Sequence, residues 1–225
     1  MNDKLRRRRV LALSGSALAG GSIAGCIEGP WTGDPEDPGS EPDIDREPPD
    51  HSPGEPEEHI EVLMETRGGE SHHFSPLLVH VEEGGTVEWV LGNGMHNTVA
   101  YHPENADDVT PEEPMRIPED AEPWASPTLD ETDVEEDADE PATWQHTFEI
   151  EGVYDYVCTP HEGWGMVGSV IVGWPDPDGQ PGLEEPAEDF DDDAASTLEN
   201  VSQQALDVLE DEEGDGEDDE NGENS

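Results

Sequence analysis

The string Cys158-Thr159-Pro160-His161-Glu162-Gly163-Trp164-Gly165-Met166 brings a thiol, an imidazole and a thioether onto one short segment. Cys158 closes a strand-like run, so a thiolate there is presented from a rigid support. His161 offers a neutral imidazole, and Met166 a soft thioether beyond a glycine-containing loop able to turn back on itself. One short loop rarely surrounds a metal, so a second imidazole must come from elsewhere, and His96 is the candidate. Two His and one Cys in a trigonal plane, with a weak axial Met, form the ligand set of electron-transfer copper. Thiolate and thioether favour Cu(I), while imidazole serves both oxidation states. A geometry between the two preferences changes little when an electron moves, and little rearrangement means fast transfer.

Other readings of these residues fit less well. A lone cysteine is often a core residue, but one with His at +3 and Met at +8 is better explained as a ligand. Closed structural zinc sites use four Cys or His ligands and seldom Met. The chain has 2 cysteines, Cys26 and Cys158. Each has a separate task, so no disulfide is expected, and neither a thiolate-bridged binuclear centre nor haem attachment is available. His72 and His73 read as surface or loop residues. His80, His102 and His146 read as ordinary strand or strand-end residues, and His51 falls in a linker.

The elements that must position these ligands have period two. Leu77, Val79 and Val81 alternate with Leu78, His80 and Glu82; after Glu83-Gly84-Gly85, Val87, Trp89 and Leu91 alternate with Glu88 and Val90. His59–Met64, Trp144–Ile150, Val153–Cys158 and about 165–173 complete a set of short strands bounded by Gly and Pro. The pattern predicts an all-β, antiparallel sandwich, with no helical period inside it. Trp164 fits either a core position or an exposed one.

Composition limits how much of the chain folds this way. The formal net charge is −52, with 30% charged and only 31% hydrophobic residues, and the apolar residues concentrate in 59–101 and 143–174. Acidic stretches at 27–58, about 103–142 and 175–225 read as solvated or disordered. Within the last, Leu198, Val201, Ala205, Leu206 and Leu209 suggest a short helix over 195–210. After residue 9 only Arg46, Arg67 and Arg116 are basic. Such a surface repels phosphate, which excludes nucleic acid, and matches the acidic proteins of organisms that live at near-saturating salt.

Arg6–Arg9 precede an uncharged run, Val10–Gly25, too short and glycine-rich to span a bilayer. This is an export signal of twin-arginine type. It ends Ile23-Ala24-Gly25-Cys26, which resembles the lipobox of prokaryotic lipoproteins. Lipid on Cys26 would anchor the protein without spanning the membrane, and residues 27–58 would form an acidic, Pro/Gly-rich tether.

Segment 59–174 resembles the plastocyanin-like cupredoxins, particularly the halocyanin-type blue copper proteins of haloarchaea. Cys158, His161 and Met166 match their C-x2-H-x4-M spacing, and His96-Asn97 matches a His-Asn pair. The resemblance implies a Greek-key β-sandwich binding one copper ion through His96, Cys158, His161 and Met166. It implies that Asn97 braces the copper loop through hydrogen bonds, and that an apolar patch around His161 docks partners. Here Gly94, Met95, Pro160, Trp164 and Gly165 would build that patch. The expected function is single-electron transport on the outer face of the cell membrane, as a monomer serving the redox proteins of an electron-transfer chain. The alternative is a copper-binding or copper-delivery protein outside the cytoplasm, which five Met residues support weakly. A copper enzyme needs further His ligands, often flanking the cysteine; Val157 and Thr159 stand there instead.

Overall fold

The computed structural model describes residues 53–69, 71–110, 114–133 and 141–215. The export signal, Cys26 and nearly all of the tether lie outside the described residues, as do 111–113, 134–140 and 216–225.

Among the described residues the chain forms nine strands: β1 (Glu57–Arg67), β2 (Ser71–Ser75), β3 (Leu78–Leu91), β4 (Met95–His96), β5 (Val99–Ala100), β6 (Leu129–Asp130), β7 (Thr143–Thr147), β8 (Gly152–Val157) and β9 (Val167–Val172). The long strand β3 organises them. Its first half, Leu78–Val81, pairs with β9, and its second half, Thr86–Leu91, pairs with β1 on one side and β7 on the other. The bend between the halves depends on glycine. Gly84 has φ +84°, and a Cβ at Gly85 would lie 2.7 Å from the Glu82 carbonyl oxygen. One strand therefore feeds both faces of a sandwich, in the order β2-β1-β3-β9-β8-β5, while β4 pairs only with β6.

The sandwich is mixed rather than antiparallel, because β3 runs parallel to both β1 and β9. Alternation reports which face a strand buries, not the direction of its neighbour, so the sequence pattern is silent on this point. Val62, Met64, Val87, Trp89, Tyr156 and Val170 meet in the interior between the faces.

Both faces of β8 and β9 are buried. The second face is covered by a helix, α1 (Asp192–Asp215), longer than the expected 195–210 and packed against the sheet. Ala194, Leu198, Val201, Ala205 and Leu209 recur at steps of three or four, which sets them on one stripe. Leu198 packs with Val157 and Val167, and Val201, Ala205 and Leu209 pack with Val153 and Ile171.

The acidic excursion is likewise partly built into the fold. Ile117, Trp124 and Leu129 enter the main core, and backbone bonds from Ala100 N to Trp124 O (2.9 Å) and from Ser126 N to Thr98 O (2.9 Å) lay the segment along β5. Arg116 is 3% exposed and its Nε donates to Asp155 Oδ2 at 2.7 Å. Its other nitrogens donate to the Gly182 and Glu184 carbonyls, tying excursion, β8 and tail together. Isolated apolar residues among acids have no period, which is why this packing escapes a pattern reading. Burial pushes the Asp155 carboxyl up; Arg116 and the Ser169 hydroxyl oppose it.

If α1 is part of the folded unit, Leu198→Ala destabilises the protein by about 2–5 kcal/mol in chemical unfolding, the range for a fully buried leucine. Gln203→Ala, on the exposed face of the same helix, should stay within about 0.5 kcal/mol of wild type.

Candidate metal centre

β8 ends at Val157 and β9 starts at Val167, so the intervening residues form a closed loop between two neighbouring strands. The Cys158 N–H donates to the Met166 carbonyl at 2.9 Å, extending the ladder by one rung. Inside it, the His161 N–H donates to the Cys158 carbonyl (2.9 Å) and the Met166 N–H to the His161 carbonyl (3.2 Å). The turn is 3-10-like over Thr159–Trp164, kinked at His161 and closed by Gly165 at φ 71°. Gly165 is required there for a second reason: a Cβ would lie 2.9 Å from both Asp193 O and Thr197 Oγ1 of α1.

His96 arrives from the other direction, on β4, paired with Leu129 of β6. The three nearest donor atoms form a triangle. Cys158 Sγ lies 3.5 Å from His96 Nδ1 and 3.3 Å from His161 Nδ1, and the two nitrogens are 3.1 Å apart. The centre of such a triangle is about 1.9 Å from each corner, close to first-row metal–nitrogen bonds of about 2.0 Å and somewhat inside metal–sulfur bonds of about 2.3 Å. The donor set is therefore sized for a single ion. Met166 is fully buried in the same apolar cluster as Cys158.

Asn97 bridges the two sources of ligands. Its Nδ2 donates to Thr159 Oγ1 at 2.9 Å, and its Oδ1 accepts from the Thr159 N–H at 2.8 Å. Glu162, also in the loop, is buried and held by donors from the excursion: the Tyr101 hydroxyl at 3.0 Å and the Thr110 N–H at 3.1 Å. The loop is thus fastened at Asn97, at Glu162 and against α1.

Burial favours the uncharged form of each donor. Burial pushes the Cys158 thiol up to about 12. Burial, reinforced by the nearby His161, lowers His96 to about 3. Burial and then His72 lower His161 to about 4.

Among the docking candidates, Met95 is 50% and Trp164 60% exposed, so Trp164 is a surface residue. Gly94 is exposed and Pro160 half-buried, but Gly165 faces α1 and is removed from the patch. His80 reaches the Gly173 carbonyl, His102 caps a 3-10 turn and His146 stacks on Trp124. His72 and His73 lie in β2 rather than a loop, and His72 sits at the metal-centre cluster. Its ring is stacked on His161 at 3.7 Å between centroids. The available signal is alternation: His72 shares its strand face with Phe74, a core residue.

The family of copper binding proteins described as plastocyanin/azurin matches residues 60–173. The fold is that of a cupredoxin, and the chain belongs to this plastocyanin/azurin family, whose members bind one copper ion and act in electron transfer. Within it, the chain is similar to halocyanin from Natronomonas pharaonis, with 34% identity over 113 residues, 49% of this chain and 55% of that protein. The chain therefore spans about half the length of that curated relative. Similar solved structures include native pseudoazurin from Hyphomicrobium denitrificans (25% identity, TM-score 0.47, covering 65% of this chain and 97% of that one). Pseudoazurin from Methylobacterium extorquens is another (22% identity, TM-score 0.35, covering 68% and 98%).

Asn97→Ala removes both bonds to Thr159. The expected result is a loss of about 1–3 kcal/mol in unfolding free energy and copper affinity weakened about 10–100-fold, the range for residues that hold metal ligands in place. Calorimetry and competition with a chromophoric chelator measure the two.

Proposed function

We propose that this chain is a single-electron carrier of the blue copper class, in which His96, Cys158, His161 and Met166 would hold one copper ion. The observation that carries this reading is the triangle of Cys158 Sγ, His96 Nδ1 and His161 Nδ1 with sides of 3.1–3.5 Å. When bound, copper supplies a one-electron couple between Cu(I) and Cu(II). The protein's part is to hold the donors still. Cys158 and Met166 are tied to each other by backbone, Asn97 ties the His96 side to the loop, and the surrounding core excludes water. His161 is only half-buried and lies 5.7 Å from the exposed Trp164 ring, which makes it the exit for the electron. Met95 and Trp164 beside it offer an apolar contact to redox partners. The carrier acts as a monomer and needs no substrate pocket.

Lipidation of Cys26 would place this carrier on the outer face of the cell membrane, with 27–58 as the tether and 59–174 as the copper domain. Among the described residues no helix is long and apolar enough to cross a membrane; the attachment proposed is through the lipobox. A Cys26→Ser variant expressed in an archaeal or bacterial host should move from the membrane fraction to the soluble extracytoplasmic fraction while keeping its colour.

The deciding measurement is the visible absorption and EPR spectrum of the full chain with Cu(II) in high salt. An intense thiolate-to-copper band in the red with narrow hyperfine splitting is expected, lost on reduction and lost in Cys158→Ser. A pale, ordinary Cu(II) spectrum would sink the reading in favour of copper delivery.

The pH dependence follows from the protonation states. Both imidazoles are already neutral at pH 7, while the thiol with its pKa of about 12 still carries its proton. Binding must expel that one proton. Affinity should therefore rise about tenfold per pH unit between roughly pH 5 and 11, and fall more steeply below about pH 4, where His161 protonates. Release of one proton per copper in weakly buffered solution checks this directly.

A further inference from the structure

We propose that His72 is a positioning residue for the copper centre, holding the ring of His161 by stacking while Thr66 links it to His96. This rests on the assignment of His96 and His161 as ligands. The His72 and His161 rings are 3.7 Å apart between centroids and only 7° from parallel. His72 cannot slide freely, because its Nδ1 lies 2.8 Å from Thr66 Oγ1. The same hydroxyl lies 3.3 Å from His96 Nε2. Thr66 is itself fixed, with its N–H donating to Asn93 Oδ1 at 2.8 Å.

The direction of these bonds follows from the site. His96 turns Nδ1 toward Cys158 and His161, so its proton sits on Nε2 and is donated to Thr66 Oγ1. The Thr66 hydroxyl then donates its own proton to His72 Nδ1. One threonine on β1 thereby sets the tautomer of the buried imidazole and the orientation of the ring that covers the outer one. His161 needs such support more than His96. It is the ligand on a loop, half-exposed, while His96 is fully buried on a strand.

The stack also discriminates between oxidation states. An imidazole bound to Cu(II) is poorer in electrons than one bound to Cu(I), and an aromatic ring lying flat against it favours the electron-poor partner. Losing the stack should weaken retention of Cu(II) relative to Cu(I) by about three- to tenfold. At 59 mV per tenfold for one electron, the reduction potential rises by about 30–60 mV.

The test uses the full chain in high salt, as wild type, His72→Ala, His72→Phe and Thr66→Val. Redox titration should place His72→Ala above wild type by that amount. His72→Phe keeps a flat ring without the hydroxyl contact and should recover most of the shift. Thr66→Val should raise the potential by a smaller amount, since His96 Nε2 loses its acceptor. In the copper-free protein, the His161 ring protons should show an upfield ring-current shift that disappears in His72→Ala and persists in His72→Phe. An unchanged potential in His72→Ala overturns the proposal, as does a His72→Phe potential displaced as far as that of His72→Ala. The Phe and Val variants decide the matter if His72→Ala fails to fold. A wild type that binds Cu(II) without turning blue fails differently, overturning the ligand assignment while the ring-current shift still reports the stack.

Discussion

A buried thiol must sit within about 3.5 Å of two imidazole nitrogens. That arrangement is unfavourable in itself, because three polar groups leave water and gain little from one another. It survives because the backbone around them is independently satisfied. The bond from Cys158 N–H to the Met166 carbonyl belongs to the β8–β9 ladder, and the bridge from Asn97 to Thr159 is complete at both ends. The sheet supplies the order that the donors cannot supply for themselves. The Cys158 thiol held up to about 12 is the measure of that constraint: only a cation makes the thiolate affordable.

The acid composition makes the handling of positive charge informative. Arg67 is spent on Glu65 in a bidentate pair at 2.9 and 3.0 Å, with the carboxylate buried and the guanidinium side exposed to screening by salt. Arg116 is placed inside, where it meets Asp155 and two backbone carbonyls. Buried pairs of this kind are weak sources of stability but costly to break, since either partner alone is an unpaired charge. Its three partners lie on β8 and the tail, so Arg116 specifies where the excursion sits more than how firmly it is held.

How much was legible in the sequence follows from the kind of signal each residue carries. Cys158, His161 and Met166 share one loop, and their spacing is a direct consequence of closing it, so they read clearly. His96 needed chemistry and resemblance as well, because its distance from the others is set by topology. The strand faces read from period two, whereas the parallel pairing of β3 with β1 and β9 left no trace in alternation. Ile117 and Trp124 were hidden by acidic neighbours, although both are core residues. His72 is the instructive miss. A pair of adjacent histidines looks like surface, yet β2 turns one toward the core face with Phe74 and the other toward Glu65. Gly165 carried a second role, as the seat for α1, that only the tertiary contact reveals.

The helix α1 lies downstream of every strand it covers. Chains are synthesised from the N-terminus, so β8, the ligand loop and β9 emerge while the outer face of their sheet is still bare. Until α1 arrives, Val153, Val157, Val167 and Ile171 present an apolar strip to the solvent, and Gly165 has no wall behind it. The loop that carries Cys158, His161 and Met166 is softer at that stage. The order of synthesis therefore separates the closing of the loop from the making of its rigidity, and only the second step fixes where its donor atoms stand.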